Sequence, residues 1–240
     1  MENIKKVKSI SIWIFIVPFV AVNACLLITT QFHFLIENQY RIYSTFPYLD
    51  GGVSISRTAR YFPTYLIFKP AMFFTSYLLI KYWVYNKEIV IFFDNQNKYK
   101  NKILFFGVAS AIALTLHAIF LGVKFDNDLY KLFRRVIMFT FIIFEITAQA
   151  YLVAAFYSFR NKLDKQINKL FLNLKIILVS TLIVVAIISI PIISLPGDNF
   201  FGFNLKFLKH ALEWDYFLGV ILFYFFTFCL WKKNIEVNKY

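Results

Sequence analysis

The chain has 240 residues; 60% are hydrophobic, 21% are aromatic and only 16% are charged. A soluble domain carries about a quarter charged residues, so this composition excludes an ordinary water-soluble globule and points to a membrane protein. The net charge of +13 does not indicate nucleic-acid binding, because the Lys and Arg residues lie between apolar runs and form no basic domain.

Six apolar runs follow one another. Residues 1–10 carry Lys5, Lys6 and Lys8, and the first run covers 11–32. The stretch from Val22 to Cys25 is weakly similar to a lipoprotein cleavage box, but Asn23 is foreign to that box. The run also continues to about twenty residues, enough to span a bilayer uncleaved. An outer loop follows over 33–62. Asp50-Gly51-Gly52 predicts a turn, since glycine accepts positive φ and aspartate caps it. Val53 to Phe62 alternates enough to predict a short strand, so the loop is expected to be ordered.

The second run, 63–86, opens on Pro63, which suits a first helical turn. Pro70 lacks an N–H and clashes with the carbonyl of Leu66, which predicts a kink beside Lys69. The third run, 103–123, holds His117 and a small-residue face at Gly107 and Ala111, near Ser110. The fourth, 136–158, places Glu145 and Gln149 one turn apart on one face. The fifth is 176–195, with Pro191 and Pro196 at its end. Gly197-Asp198 starts the next connection, which turns helical through Lys206 to Trp214. The sixth run is 212–231, ending on Trp231-Lys232-Lys233.

The expected fold is therefore all-α: one polytopic domain over 1–240 with six transmembrane helices. With both termini inside, the inner segments hold 15 Lys and Arg residues and the outer loops 9, the asymmetry of the positive-inside rule. Cys25 and Cys229 both fall within apolar runs and do not read as a disulfide framework.

No phosphate-binding loop, dinucleotide fingerprint, H-E-x-x-H or C-x-x-C occurs, so no cofactor and no metal are expected. The three histidines are widely spaced, and His33 reads as interfacial. The informative residues are ionisable ones within the spans, which are costly in lipid and face a bundle interior or a wet cavity. Glu145 lies about 15 Å below Arg135 at 1.5 Å per residue, too deep for glutamate to reach water. Lys69 and Glu145 are expected to share the interior as a pair, against the plainer reading of Lys69 as an interfacial anchor. Glu145, His117 and Glu213 are the candidates for proton handling. Asp50, Arg57, Arg60, Lys69, Arg134, Arg135 and Asp215 are the candidates for ligand binding near the outer side, beside His210. Arginine suits phosphate or carboxylate, because its planar fork matches those groups.

Six helices, both termini inside and a P-Y-[IL]-x-x-G-like element in the first outer loop (Pro47, Tyr48, Leu49, Asp50, Gly51, Gly52) resemble the Frag/DRAM/Sfk superfamily. That superfamily includes autophagy modulators, post-GPI-attachment remodelling factors and the N-terminal domain of the Cwh proteins. Pro63 opening the second helix extends the likeness. Ala211-Leu212-Glu213-Trp214 is similar to its A-[LF]-x-E-[WY] pattern, one residue shorter. The fourth helix departs from the family, which often has a histidine near its start where this chain has Leu132-Phe133-Arg134-Arg135. The resemblance implies a lipid-associated role rather than a particular reaction.

The expected function is binding or remodelling of a lipid or lipid-linked head group, an anionic one included, at the outer side of a membrane. The expected location is multi-pass, in the cell membrane if the source is bacterial, with membrane lipids as partners and no nucleic acid. One rival is a small transporter or proton-coupled carrier, with Lys69, His117 and Glu145 as a relay, although no inverted repeat is visible. Another is a non-catalytic scaffold whose inner basic loops bind lipid or protein.

Overall fold

The structure, a computed structural model, describes residues 2–123, 127–194, 199–200 and 203–232. The side chains of His33, Lys131 and residues 190–194, 199–200 and 203 are not among those described. Pro196, Gly197-Asp198 and Lys233 lie outside the described residues, as do the orientations of the Pro191 and His33 side chains.

Helix α1 spans Glu2–Thr30 and leads through two short 3-10 turns to the small helices α2, Pro47–Asp50, and α3, Ile55–Thr58. Helix α4 runs Thr64–Phe93, α5 Lys100–Phe120 and α6 Asp128–Ser158. A four-residue helix α7, Arg160–Leu163, precedes α8, Lys169–Ser194. Strands β1, Asn199–Phe200, and β2, Phe203–Asn204, form a two-residue antiparallel pair with Phe200 opposite Phe203. Helix α9, Leu205–Leu230, follows.

The six long helices pack as a closed ring in chain order: α1 on α4, α4 on α5, α5 on α6, α6 on α8, α8 on α9, and α9 back on α1. Five of the helices are long and apolar enough to cross a membrane: Glu2–Thr30, Lys100–Phe120, Asp128–Ser158, the Lys169–Ser189 part of α8, and Leu205–Leu230. Helix α4 matches them in length but is not among them; it carries Lys69, Lys81, Lys87 and Glu88.

Large apolar side chains face outward along the ring, among them Trp13, Val20, Phe73, Phe105, Ile143 and Ile187. Such a surface is unsuited to water and suited to lipid. Hydroxyls within the helices are satisfied by their own backbone: Thr29, Thr75, Ser76, Thr115 and Thr147 each donate to the carbonyl four residues earlier. Gly107 permits the close approach of α5 to α4, because a Cβ there would stand 2.2 Å from the Trp83 ring.

The stretch after Gly52 forms a helix rather than the expected strand. Ser54 stops any extended pairing by accepting the Arg57 N–H at 3.3 Å, which caps α3. Pro63 stands at the N-cap of α4, and Pro70 is carried inside a continuous helix that extends seven residues past the expected end at 86. Both cysteines are free thiols.

Candidate functional site

One end of the ring is built where α2 meets α9. Gly51 caps α2 in the left-handed region at φ 61°, and a Cβ there would lie 1.8 Å from the Phe207 carbonyl oxygen. Only glycine meets both conditions, so the turn lets α9 lie directly against the first loop. His210 Nδ1 stands 2.9 Å from the Gly51 carbonyl, and Trp214 Nε1 donates to the Val53 carbonyl at 2.8 Å. The Tyr48 ring meets Trp214 edge-on at 4.9 Å. The stretch 47–53 and the start of α9 are thus packed on each other.

Asp50 serves this turn. Its carboxylate accepts from Thr45 Oγ1 at 2.5 Å, from the Phe46 N–H at 2.8 Å and from the Gly52 N–H at 2.8 Å. Burial raises the carboxyl's pKa, but these three hydrogen bonds together outweigh it and hold the group below the usual aspartate value. Asp50 is therefore committed to the loop's own backbone.

Beneath the loop, inside the ring, lies a mostly apolar cavity of about 90 Å³. Its walls come from α1, α4, α5, α6 and α9, and among its lining residues are His117, Glu145 and Glu213. All three candidates for proton handling therefore face one space. Glu145 is fully buried and closed off by donors: Ser110 Oγ at 2.6 Å, Gln149 Nε2 at 3.1 Å and the Tyr224 hydroxyl. Gln149 also reaches the Val220 carbonyl at 3.2 Å, tying α6 to α9. Glu213 is held by loop backbone, its Oε1 accepting from the Ser56 N–H at 3.4 Å with the Ile55 N–H also close.

A second and larger space of about 410 Å³ opens between α6, α8 and α9. Arg135, Lys209 and His210 stand at the end nearest the first turns of α6 and α9; Met138, Phe139, Ile142 and Ile143 form its apolar wall. Met138, Ile142, Glu213 and Tyr216 line both this groove and the interior cavity, so the two share a common wall at those residues. Tyr216 joins α9 to α8 through a 3.3 Å hydrogen bond with Ser189.

The remaining candidates divide. Arg60 lies within electrostatic reach of Glu213 and of Arg134, and Arg134 within reach of His117, although neither arginine lines the interior cavity. The buried Nε of Arg60 has no hydrogen-bond partner among the described residues. Arg57 is exposed on α3, and Asp215 is exposed on α9 near Tyr48. Lys69 does not pair with Glu145. Its amine donates to the Ile119 carbonyl at 3.3 Å, capping the end of α5 from an exposed position. The proline-flanked lysine turns outward because an unpaired carbonyl at a helix end is within reach.

Sequence reasoning missed the buried cation. Lys175 is fully buried in α8. Its amine donates to Thr227 Oγ1 at 2.8 Å and lies 3.8 Å from the Phe223 ring centroid. Thr227 also meets the Tyr82 hydroxyl at 3.1 Å. The only signal was that Lys175 follows Leu172 by three residues in a helical apolar pattern. Tyr224 and Ser110, the partners of Glu145, carried no signal, because each lies among many similar residues.

Among the described residues no group of His, Cys, Asp and Glu is placed to hold a metal. In comparisons with known proteins, no family model, no curated protein and no solved structure matches the chain.

Proposed function

We propose that this chain is a six-span integral membrane protein that binds, or binds and remodels, a lipid or lipid-linked head group from the outer side of the membrane. The observation that carries the reading is the groove between α6, α8 and α9. It has Arg135, Lys209 and His210 at one end and an apolar wall directly below. An amphiphile with an anionic head needs that order of surfaces along the membrane normal, with cations at head-group depth and hydrocarbon beneath. The shared wall at Glu213 and Tyr216 sets such a head beside the cavity holding His117 and Glu145, where a proton-handling role would be exercised.

Helix α4 is the sixth span in this reading. It packs along α1 and α5 within the ring and turns Phe73, Phe74, Tyr77 and Ile80 outward. Its cations are placed to reach polar surroundings: Lys69 caps α5, and Lys81 lies 4.4 Å from the Tyr77 ring. The Lys and Arg asymmetry puts the loop around Asp50 outside. The carrier reading needs Lys69 in an internal relay, and its outward position disfavours that. The lipid reading rests on the groove rather than on the Frag/DRAM/Sfk resemblance.

Two experiments test it. Protein purified in mild detergent is extracted and its lipids weighed by mass spectrometry. A near-stoichiometric lipid is expected, and an Arg135→Ala/Lys209→Ala variant should lose most of it. Absence of retained lipid, or full retention by the variant, would overturn the reading. For orientation, a cysteine at exposed Ser44 should react with an impermeant thiol reagent on intact cells and one at exposed Gln96 should not; labelling at Gln96 alone would invert the topology. Ser44 is preferable to Gly52, where a Cβ would meet Thr45 Oγ1 at 2.3 Å.

A further inference from the structure

We infer that the groove takes a phospholipid whose head carries a primary ammonium next to its phosphate; this rests on the lipid reading above. Two carboxylates line these adjoining spaces, Glu145 the inner one alone and Glu213 both, and they differ in what they can still accept. Glu145 is closed by Ser110, Gln149 and Tyr224. Glu213 receives only backbone N–H groups of the first loop, a long bond from Ser56 and the nearby Ile55, and it lines both spaces. No ion pair to Glu213 forms among the described residues. Arg60 lies within electrostatic reach of it, and His210 precedes it by about one turn on α9.

The spacing selects the head. Three residues separate His210 from Glu213, a rise of about 4.5 Å at 1.5 Å per residue. A phosphate among Arg135, Lys209 and His210 thus sits about one helical turn from the Glu213 carboxylate. A purely anionic head would set two negative charges close together in apolar surroundings. A primary ammonium two carbons from the phosphate reaches that gap and offers three N–H donors to Glu213. A quaternary ammonium has the charge but no donor. The apolar wall from Met138 to Ile143 supplies the place for the acyl chain.

The test uses the full-length protein, delipidated in detergent, with phosphatidylethanolamine, phosphatidylcholine and phosphatidylglycerol of identical chains, and free phosphoethanolamine. Binding is read by native mass spectrometry. Phosphatidylethanolamine is expected to bind about fivefold or more tighter than phosphatidylglycerol, the scale of one charge-assisted hydrogen-bonded pair. Glu213→Gln should reduce that preference to within about twofold while phosphatidylglycerol still binds. Should that variant not fold, the ranking on the unaltered protein decides. Equal or tighter binding of phosphatidylglycerol, an unchanged preference in Glu213→Gln, or free phosphoethanolamine binding as tightly as the lipid would each overturn the inference. Equal binding of all three lipids leaves the groove reading standing and sinks only the head-group assignment; no binding of any lipid sinks both.

Discussion

The indole N–H of Trp214 donates to the carbonyl of Val53 across 2.8 Å, joining residues 161 positions apart in the chain. Both are fully buried, so the bond forms where neither group meets water. It fixes the depth of α9 against the first loop and hence the position of Glu213, the preceding residue. Trp214→Phe keeps the ring but leaves a buried carbonyl unpaired, which costs about 1–3 kcal/mol. Trp214→Ala adds a cavity and should cost about 3–5 kcal/mol. Thermal unfolding in detergent measures both. A Phe variant as stable as the parent would show that the hydrogen bond contributes nothing.

Gly51 and Gly52 should differ in tolerance. At Gly51 a side chain is penalised by positive φ and by the Phe207 carbonyl 1.8 Å away, and backbone cannot step aside. At Gly52 the obstacle is the Thr45 side chain, which can rotate at the loss of its bond to Asp50. Gly51→Ala should therefore abolish or sharply reduce folded yield in size-exclusion chromatography, while Gly52→Ala should retain most of it. Equal yields would mean that α9 can move off the loop. Ser54 is no neutral control, since it caps α3.

Glu145 and Tyr224 should be energetically coupled, whereas Glu145 and Lys69 should not. Tyr224→Phe and Glu145→Gln each break one shared hydrogen bond, so the double variant should lose less than the sum, by about 0.5–3 kcal/mol. Lys69→Met removes the cap on Ile119 and the contact with the Tyr65 ring, neither of which involves Glu145, so its effect should add to that of Glu145→Gln. Thermal unfolding of the two double-mutant cycles distinguishes the cases. Non-additivity with Lys69 would restore a direct link between the two charges.

Acid should loosen the first loop through Asp50. Its folded pKa lies below the ordinary value, so the folded loop binds the proton less readily than the unfolded chain. The stabilisation is present above the unfolded aspartate pKa and is lost as pH falls through the folded value, a window below about pH 4. Trp214 fluorescence, reporting on the packed loop, should change in that window. In Asp50→Asn the part due to this carboxyl should disappear. An unchanged acid transition in the variant would assign it to another group.

What the sequence by itself determined is what local composition and period can encode. Runs of about twenty apolar residues predict helices wherever they fall, because a chain without water must satisfy its backbone internally. Asp50-Gly51-Gly52 predicts its turn because positive φ is a property of one residue. The pairing of Glu145 with Gln149 was readable because helical period sets neighbours four apart. Tertiary structure alone decided which distant groups meet. Nothing local distinguishes Tyr224 from the other tyrosines as the partner of Glu145, or marks Ile119 as the acceptor for Lys69. Nothing local sends Lys175 inward to Thr227 and Phe223 while Lys169 stays at the surface with Asp164. Those choices follow from the closure of α9 on α1, which sets the rotation of every helix about its axis. The same closure sets Glu213 between the groove and the cavity, since the contacts of Gly51 and Val53 with α9 fix its height.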